Sequence, residues 1–357
     1  MKRVAVVGIQ GVPAKYGGFE TLVENIIGEN CSEGIHYTVF CSAKDYASHP
    51  ESYKGVSLKY IPFFHANGAQ STPYDILSFL YCLKGYDAVL VLGVSGCIFL
   101  PLFRLLFRKR LLVNIDGLEH RRAKWGRFAK WFLRTSEAMA VRCADVIIAD
   151  NKGIQDYVEV TYGKKSELIA YGGNHVVRKV SSEKIRAVLQ HYGVEPDGYA
   201  ISVCRIEPEN NSHVICEAFA QSGMPLIFIG NWNRSEYSRS LKEKYATYQN
   251  IHLVDAVYEL DELYALRSQC RYYIHGHSAG GTNPSLVEAM FFAKPILAYD
   301  VVYNRETTEN KAYYFQTVGQ LVNLLELSEL NGEAMKEIAL RRYTWKYIAE
   351  QYESLYR

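Results

Sequence analysis

His275-Gly276-His277-Ser278-Ala279-Gly280-Gly281-Thr282-Asn283-Pro284-Ser285-Leu286-Val287-Glu288-Ala289-Met290 joins an apolar, aromatic run (Arg271 to Ile274) to a helix-like one. Small residues and Asn-Pro at the junction predict a strand, a tight Gly turn and a helix start. The free backbone N–H groups and positive dipole end of such a helix suit an anion such as a diphosphate. Glu288 falls one turn into the helix, where its carboxylate can accept hydrogen bonds from a ribose or sugar diol. A second Gly-rich turn, Gly8-Ile9-Gln10-Gly11 through Gly17-Gly18, lies at the other end of the chain. Two such turns predict two nucleotide-binding-like halves facing one cleft.

Outward from these turns the pattern alternates. Strand-like runs fall at Val4 to Gly8, Tyr37 to Cys41, Ser57 to Ile61, Ala88 to Leu92, Leu111 to Ile115, Val146 to Ala149 and Glu167 to Ala170, with helical spacing between most of them. Near Tyr171 to Lys184 the rhythm loosens, which predicts the interdomain linker there. It resumes with Tyr199 to Cys204, Pro225 to Gly230, Ile251 to Val254, Tyr272 to His275 and Pro295 to Tyr299. Short strands buried on both faces and alternating with helices predict parallel sheets. Trp345, Ile348, Tyr352 and Leu355 predict an amphipathic closing helix. The 357 residues suit two α/β domains, and 48% hydrophobic with 22% charged residues argues against disorder.

The Gly8 to Gly18 turn is not the dinucleotide fingerprint, because Gln10 and Pro13 stand where glycines belong, and no Gly-Lys-Ser/Thr follows. What remains is a long loop able to close over a diphosphate, or a structural turn whose glycines serve backbone geometry. Arg205 comes directly after the first strand of the second half, where a guanidinium points into the ligand crevice and can fork onto phosphate. The alternative is a surface pair with Glu207 or Glu209. In Asn114-Ile115-Asp116-Gly117-Leu118-Glu119-His120-Arg121-Arg122, Asp116, Glu119 and His120 can orient a sugar or an acceptor, or simply be solvated. His275 and His277 at i, i+2 make a poor metal set, so no metal is expected.

The net charge of +2 is neutral ground, and no nucleic-acid partner is expected. Locally, Arg104, Arg108, Lys109, Arg110, Arg121, Arg122, Lys124, Arg127, Lys130, Arg134 and Arg142 face only Asp116, Glu119 and Glu137. With Trp125, Phe128, Trp131 and Phe132 interleaved, residues 121–134 are candidates for peripheral contact with an anionic membrane, or an ordinary solvated helix face. The eight cysteines show no paired spacing and read as buried thiols of a reducing compartment. Ala88 to Phe103 is shorter than the roughly 20 residues a spanning helix needs and contains glycines and Pro101. Strand, turn and helix fit it better. With no signal peptide ahead of Val4, a soluble or peripheral cytoplasmic protein at the inner face of the plasma membrane is expected.

Gly8-Ile9-Gln10-Gly11-Val12-Pro13 with Tyr16-Gly17-Gly18-Phe19-Glu20-Thr21, Asn114 to Glu119, Arg205-Ile206-Glu207-Pro208-Glu209-Asn210-Asn211, and Gly276-His277-Ser278 through Glu288-Ala289-Met290 together resemble the retaining glycosyltransferases of family 4, which have the GT-B fold. More narrowly, the chain resembles the bacterial branch that includes rhamnosyltransferases of capsule and surface-polysaccharide synthesis. The resemblance implies two Rossmann-like domains: an acceptor domain over 1–178 with a helix at 343–357 crossing back to it, and a donor domain over 179–342. It implies a nucleoside-diphosphate sugar (dTDP or UDP), a lipid-linked saccharide acceptor, domain closure, no cofactor or metal, and front-face attack in which the leaving phosphate helps take the acceptor proton.

Carried over residue by residue, Arg205 holds the diphosphate, Gly281, Thr282 and Asn283 the phosphate and sugar, and Glu288 the ribose. Gly11, Gly17 and Gly18 belong to the loop over the leaving group, and Asp116 orients acceptor or donor sugar with Glu119 and His120. Two positions depart from the pattern. Asn210 stands where the family commonly has a diphosphate-binding Lys, and Gly280 where it has the first of two glutamates, so the sugar contact passes to backbone, Thr282 or Asn283. That smaller contact suits a deoxysugar such as L-rhamnose. A sugar-nucleotide epimerase on the same fold and a non-catalytic nucleotide-sugar-binding subunit remain as alternatives.

Overall fold

The computed structural model of the protein describes residues 1–15, 17–29, 32–122 and 125–357. Tyr16, Cys31 and Lys124, named above, lie outside them. The chain divides into two compact units, Met1–Tyr171 with Trp345–Arg357, and Gly172–Thr344.

In the first unit the strands are β1 (Lys2–Val7), β2 (Ile35–Ser42), β3 (Ser52–Tyr53), β4 (Val56–Ile61), β5 (Ala88–Leu92), β6 (Arg110–Asn114), β7 (Val146–Ala149) and β8 (Glu167–Leu168). They lie in the order β3-β4-β2-β1-β5-β6-β7-β8, all parallel except the β3–β4 hairpin. Helices α1 (Gly18–Glu29), α2 (Ser71–Cys82), α3 (Leu100–Leu106), α4 (Arg127–Cys143) and α5 (Lys152–Tyr162) connect them. Val4 to Val7 and Ala88 to Leu92 are buried throughout, as the central strands of a sheet covered on both faces must be.

The second unit has a parallel sheet in the order β11-β10-β9-β12-β13-β14. Its strands are β9 (Ala200–Val203), β10 (Leu226–Ile229), β11 (Ile251–Val254), β12 (Tyr272–His275), β13 (Ile296–Tyr299) and β14 (Tyr313–Phe315). Its helices are α6 (Ser182–Tyr192), α7 (Ser212–Ser222), α8 (Glu236–Tyr245), α9 (Leu260–Gln269), α10 (Pro284–Met290), α11 (Val302–Thr307), α12 (Val318–Leu325) and α13 (Glu333–Arg342). The last helix, α14 (Trp345–Leu355), belongs to the first unit. It buries Trp345, Ile348, Ala349 and Tyr352, a stripe at helical spacing, in the core that also holds Leu22, Val23, Ile26 and Ile27 of α1.

Every strand expected from the apolar runs is present. Two were not expected, β3 and β14. β3 is two residues long and turns back on β4 through Lys54 (φ 47°) and Gly55 (φ 79°), a left-handed pair of hairpin type without the usual Asn-Gly signal. β14 spans three residues at a sheet edge and carries no apolar run. The Val180-Ser181-Ser182 stretch read as linker is a helix start, since the Ser181 hydroxyl accepts from the Lys184 N–H at the head of α6. The cysteines of the described residues are all free.

Candidate active site

Open α/β sheets take ligands where strand order reverses, at the carboxyl ends of the strands. In the first sheet that point lies between β1 and β5. Gly8 sits there with φ +91°, and a Cβ on it would come 2.2 Å from the Leu92 carbonyl oxygen. In the second sheet it lies between β9 and β12, where a Cβ on Gly276 would come 2.1 Å from the Asn210 carbonyl oxygen. Each unit thus places a glycine where one loop lies directly on another at its switch point.

In the second unit, Arg205 follows β9 and is half-buried. Its guanidinium is paired with neither Glu207 nor Glu209 among the described residues, so it remains available for an anion. The loop behind it is fastened. Asn210 is buried, its Nδ2 donates to the Arg205 carbonyl (2.6 Å), and its Oδ1 accepts from His277 Nδ1 (2.6 Å). The Ser278 hydroxyl donates to the Glu209 carbonyl (2.8 Å) and Asn211 Nδ2 to that of Gly276 (2.8 Å). Both ends of the Asn210 side chain thus hold the two loops together, and one N–H of its amide remains for a ligand.

Gly280 (φ 54°) and Gly281 (φ 63°) are consecutive left-handed residues, which lets the loop turn sharply into α10. Thr282 is buried beside them. Asn283 caps α10, its Oδ1 accepting from the Ser285 N–H (3.0 Å) and the Ser285 hydroxyl (2.8 Å). That oxygen is therefore committed to the helix, while the Nδ2 donors of the same side chain are not part of the cap.

Glu288 Oε2 accepts from Arg267 Nη2 at 2.7 Å, and His175 Nε2 stands 3.5 Å from Oε1. Burial works to raise the Glu288 pKa, but Arg267 and His175 outweigh it and hold the carboxyl below its ordinary value. His175 reaches this place because Gly173 lies on α10, where a Cβ would come within 2.9 Å of Val287 and 3.1 Å of the Glu288 nitrogen. Sequence reading missed Arg267 and His175. Arg267 sits in the last turn of a helix, where a cation is ordinary, and only the folded chain shows it buried. His275 is buried with Nε2 unpartnered, and burial pushes its pKa well below the usual value. Among the described residues no His, Cys, Asp and Glu group has the arrangement of a metal site.

In the first unit the Gln10 to Gly18 loop is pinned at Gln10, Pro13 and Ala14. Gln10 N–H donates to Glu20 Oε1 (2.9 Å), Ala14 N–H to Glu24 Oε2 (2.6 Å), Ser42 N–H to the Gln10 carbonyl (2.8 Å), and the Tyr46 hydroxyl to the Pro13 carbonyl (2.8 Å). Gly11 is buried, and a Cβ there would lie 2.7 Å from Cys41 Cβ. Of the two readings given by the sequence, a loop able to close over a diphosphate or a structural turn, the first half of the stretch has the packing of a turn, and Gly11 serves that packing. Gly17 (φ 129°) leaves room for the Glu20 carboxylate, which a Cβ would overlap at 1.9 Å, and half-buried Gly18 begins α1. Burial, helped by the charge of Asp116, raises the Glu20 pKa.

Asp116 is held at φ +62°, a conformation that costs a non-glycine residue about 1 kcal/mol or more. Its N–H donates to Asn114 Oδ1 (3.0 Å), and Asn114 Nδ2 donates to the Tyr352 hydroxyl (2.8 Å) on α14. Beyond it, Glu119 accepts from Trp125 Nε1 (3.3 Å) and pairs with Arg122 (2.8 Å). His120 Nδ1 lies 3.0 Å from Glu137 Oε2, and buried Glu137 also accepts from the hydroxyls of Tyr157 (2.8 Å) and Tyr162 (2.7 Å). Burial raises the Glu137 pKa, but His120 and the two tyrosines overcome it and keep the carboxylate ionised. The structure thus brings Asp116 towards Glu20 and gives Glu119 and His120 partners of their own.

Residues 1–174 match the family described as a domain of unknown function, DUF1972, and residues 181–338 match the glycosyl transferases group 1. No curated protein matches the sequence. Among solved structures, sucrose-phosphate synthase from Thermosynechococcus elongatus has a TM-score of 0.81 at 18% identity, covering 100% of this chain and 98% of that one. Anabaena HepE in complex with UDP-glucose has a TM-score of 0.75 at 15% identity, with 99% of each chain covered. The catalytic domain of starch synthase IV from Arabidopsis thaliana, bound to ADP and acarbose, has a TM-score of 0.73 at 11% identity, covering 99% and 98%. These likenesses give the fold as GT-B. On this GT-B fold, residues 181–338, which hold both Arg205 and the ionised Glu288, match the glycosyl transferases group 1.

Proposed function

We propose that the protein is a retaining, metal-independent glycosyltransferase that moves a sugar from a dTDP- or UDP-sugar to a lipid-linked saccharide in surface-polysaccharide (capsule) assembly. The observation that carries this reading is the Arg205 guanidinium, paired with no acid among the described residues and set at the switch point between β9 and β12. A diphosphate there meets a forked donor without displacing an internal partner. Glu288, kept ionised by Arg267, accepts from the ribose hydroxyls. The C1–O bond to the diphosphate breaks while a C1–O bond to the acceptor hydroxyl forms on the same face, and the departing phosphate takes the acceptor's proton. Arg205 and the backbone N–H groups near Gly281 and Thr282 stabilise the charge that builds on that phosphate, a task that needs no metal. Gly280, where a carboxylate would grip hydroxyls, suits a deoxysugar, with L-rhamnose the first to test.

Asp116 orients the acceptor or donor sugar, with Glu119 and His120 shaping the ground beside it and the backbone at Gly17 and Gly18 completing the contact. HepE, which binds UDP-glucose, supports a uridine or thymidine diphosphate donor. A lipid-carried acceptor puts the work at the inner face of the plasma membrane, with 121–134 in contact with it.

Calorimetry of the protein without metal against dTDP, UDP, GDP, ADP and NAD tests the donor class; binding of dTDP or UDP alone is expected. Arg205→Ala should weaken the competent diphosphate by about 2–4 kcal/mol, as loss of a charged partner in a desolvated site does. Near-wild-type binding and turnover in that variant would overturn the assignment. Sugar released or rearranged without any acceptor would favour an epimerase.

A further inference from the structure

Two helices of the first unit carry an apolar face that the described fold leaves open. On α3, Leu100 and Phe103 turn inwards, Phe103 stacking on Phe107 and meeting Phe79 at a tilt, while Leu102, Leu105 and Leu106 are exposed, Leu105 by 70%. On α4, Phe128 is 77% exposed and Trp131 nearly as much, their rings 5.8 Å apart. α3 and α4 pack on one another, so these five side chains belong to one neighbourhood. Single exposed leucines need no explanation, but five large apolar groups on adjoining helices form a patch of the kind that marks a binding surface.

The charge around the patch says what covers it. Residues 100–110 hold Arg104, Arg108, Lys109 and Arg110, residues 127–136 hold Arg127, Lys130 and Arg134, and neither stretch contains an acid. Arg104 is taken by Asp145 (2.6 Å), whereas Arg108, Arg127, Lys130 and Arg134 have no ion pair among the described residues. Along α4 the positions 127, 130 and 134 form one stripe and 128 and 131 the stripe beside it, because steps of three and four return to the same side of a helix. A cationic stripe flanking an exposed aromatic one is the signature of a helix lying in a membrane interface. Its rings enter the headgroup–acyl boundary and its Lys and Arg reach back to lipid phosphates. A protein partner of ordinary composition would not call for four cations, Arg108, Arg127, Lys130 and Arg134, with no acid paired to them among the described residues. No helix of the described residues is long and apolar enough to cross a membrane, so such contact is superficial.

We propose that the α3–α4 face docks on an anionic phospholipid bilayer and inserts Leu102, Leu105, Leu106, Phe128 and Trp131 into it. This extends the surface read at 121–134 to α3, and it rests on the lipid-linked acceptor for its purpose but not for its test.

The test uses the full chain with vesicles of phosphatidylcholine alone or mixed with phosphatidylglycerol, without nucleotide or acceptor, followed by sedimentation and by quenching of tryptophan fluorescence with brominated lipid. Sedimentation with the anionic vesicles and quenching of the exposed Trp131 are expected. Binding should fall about tenfold or more without phosphatidylglycerol or in the Leu105→Asp/Trp131→Asp variant. The variant should keep its melting temperature and its nucleotide affinity, because both side chains lie outside the core and the nucleotide site. A Lys130→Gln/Arg134→Gln variant, unaltered in apolar surface, should bind more weakly and with a shallower salt dependence. Absence of vesicle binding, or equal binding by the Leu105→Asp/Trp131→Asp variant, overturns the proposal. So does a wild-type dimer in light scattering that the variant abolishes, since the face is then covered by a second copy. Transfer to a water-soluble acceptor is measured separately, so failure on vesicles is not failure of the transferase reading.

Discussion

Arg267 shows how much of the state of a candidate site residue is decided by the side chain behind it. Its guanidinium holds Glu288 as an anion in a buried setting. Arg267→Met should leave that carboxylate with His175 alone, at a cost of about 3 kcal/mol or more in thermal or denaturant unfolding. Because the Glu288 pKa is depressed in the folded state, its stabilising contribution is present above the unfolded carboxyl pKa and fades as pH falls through the folded one. In the variant that fade should begin at higher pH, and a nucleotide titration between pH 5 and 8 would show it. An unchanged pH profile would mean Arg267 does not hold the charge. Asp75 behaves oppositely. Buried on α2, it is raised to about 7 chiefly by desolvation, which its hydrogen bond from Ser95 only partly offsets. Its favourable contribution is complete below the unfolded carboxyl pKa and is lost as pH rises towards 7, a penalty of up to about 4 kcal/mol. Asp75→Asn should therefore gain stability over wild type as pH rises from 5 to 8, read as melting temperature; a constant gap would refute it. At this scale the sequence singles out Arg205 and Glu288 as candidates, because position after a strand or at a helix start is a sequence property. It did not disclose what Asn210, Arg267 and His175 do, because their partners lie on other elements.

Elements were the most legible level. A continuous apolar run bounded by turn residues has little to be but a buried parallel strand, and β1, β5 and β12 follow from that. β3 and β14 escaped because two or three residues at an edge carry no periodicity. The glycines of the two switch points were visible as turn formers, yet their cause is the carbonyl each one meets. Gly276→Ala is expected to push the 205–211 loop away, lowering stability and weakening nucleotide binding together, since a methyl 2.1 Å from a backbone oxygen cannot be accommodated. Gly319→Ala on α12, with open space around it, should instead be neutral or stabilising by up to about 1 kcal/mol. Equal melting temperatures for the two variants would contradict this account.

Over the whole molecule the sequence disclosed two α/β units and a closing helix, since the strand rhythm pauses near Tyr171 and an amphipathic stripe follows Thr344. The unit boundaries themselves, at Tyr171–Gly172 and Thr344–Trp345, depend on which core each segment joins. Tyr352 is wholly buried in the first unit and braces Asn114 through its hydroxyl. Tyr352→Ala should cost the first unit about 3–5 kcal/mol. Calorimetry should show one melting transition moving down while the transition raised by bound nucleotide stays in place; a single shared transition moving as a whole would show the units unfold together.

That α14 completes the first unit also orders events during synthesis. Residues 1–171 leave the ribosome early but lack Trp345 and Tyr352, and Lys2 lacks the Tyr356 carbonyl that its Nζ meets at 2.6 Å. Residues 172–344, contiguous in sequence, emerge as a complete folding unit before α14 arrives. Under the proposed function, the unit that would take the nucleotide is complete before the Asn114–Asp116 turn is braced. Synthesis order thus leaves the Asn114–Asp116 turn unbraced until α14 has been made, so the first unit closes its core after the second.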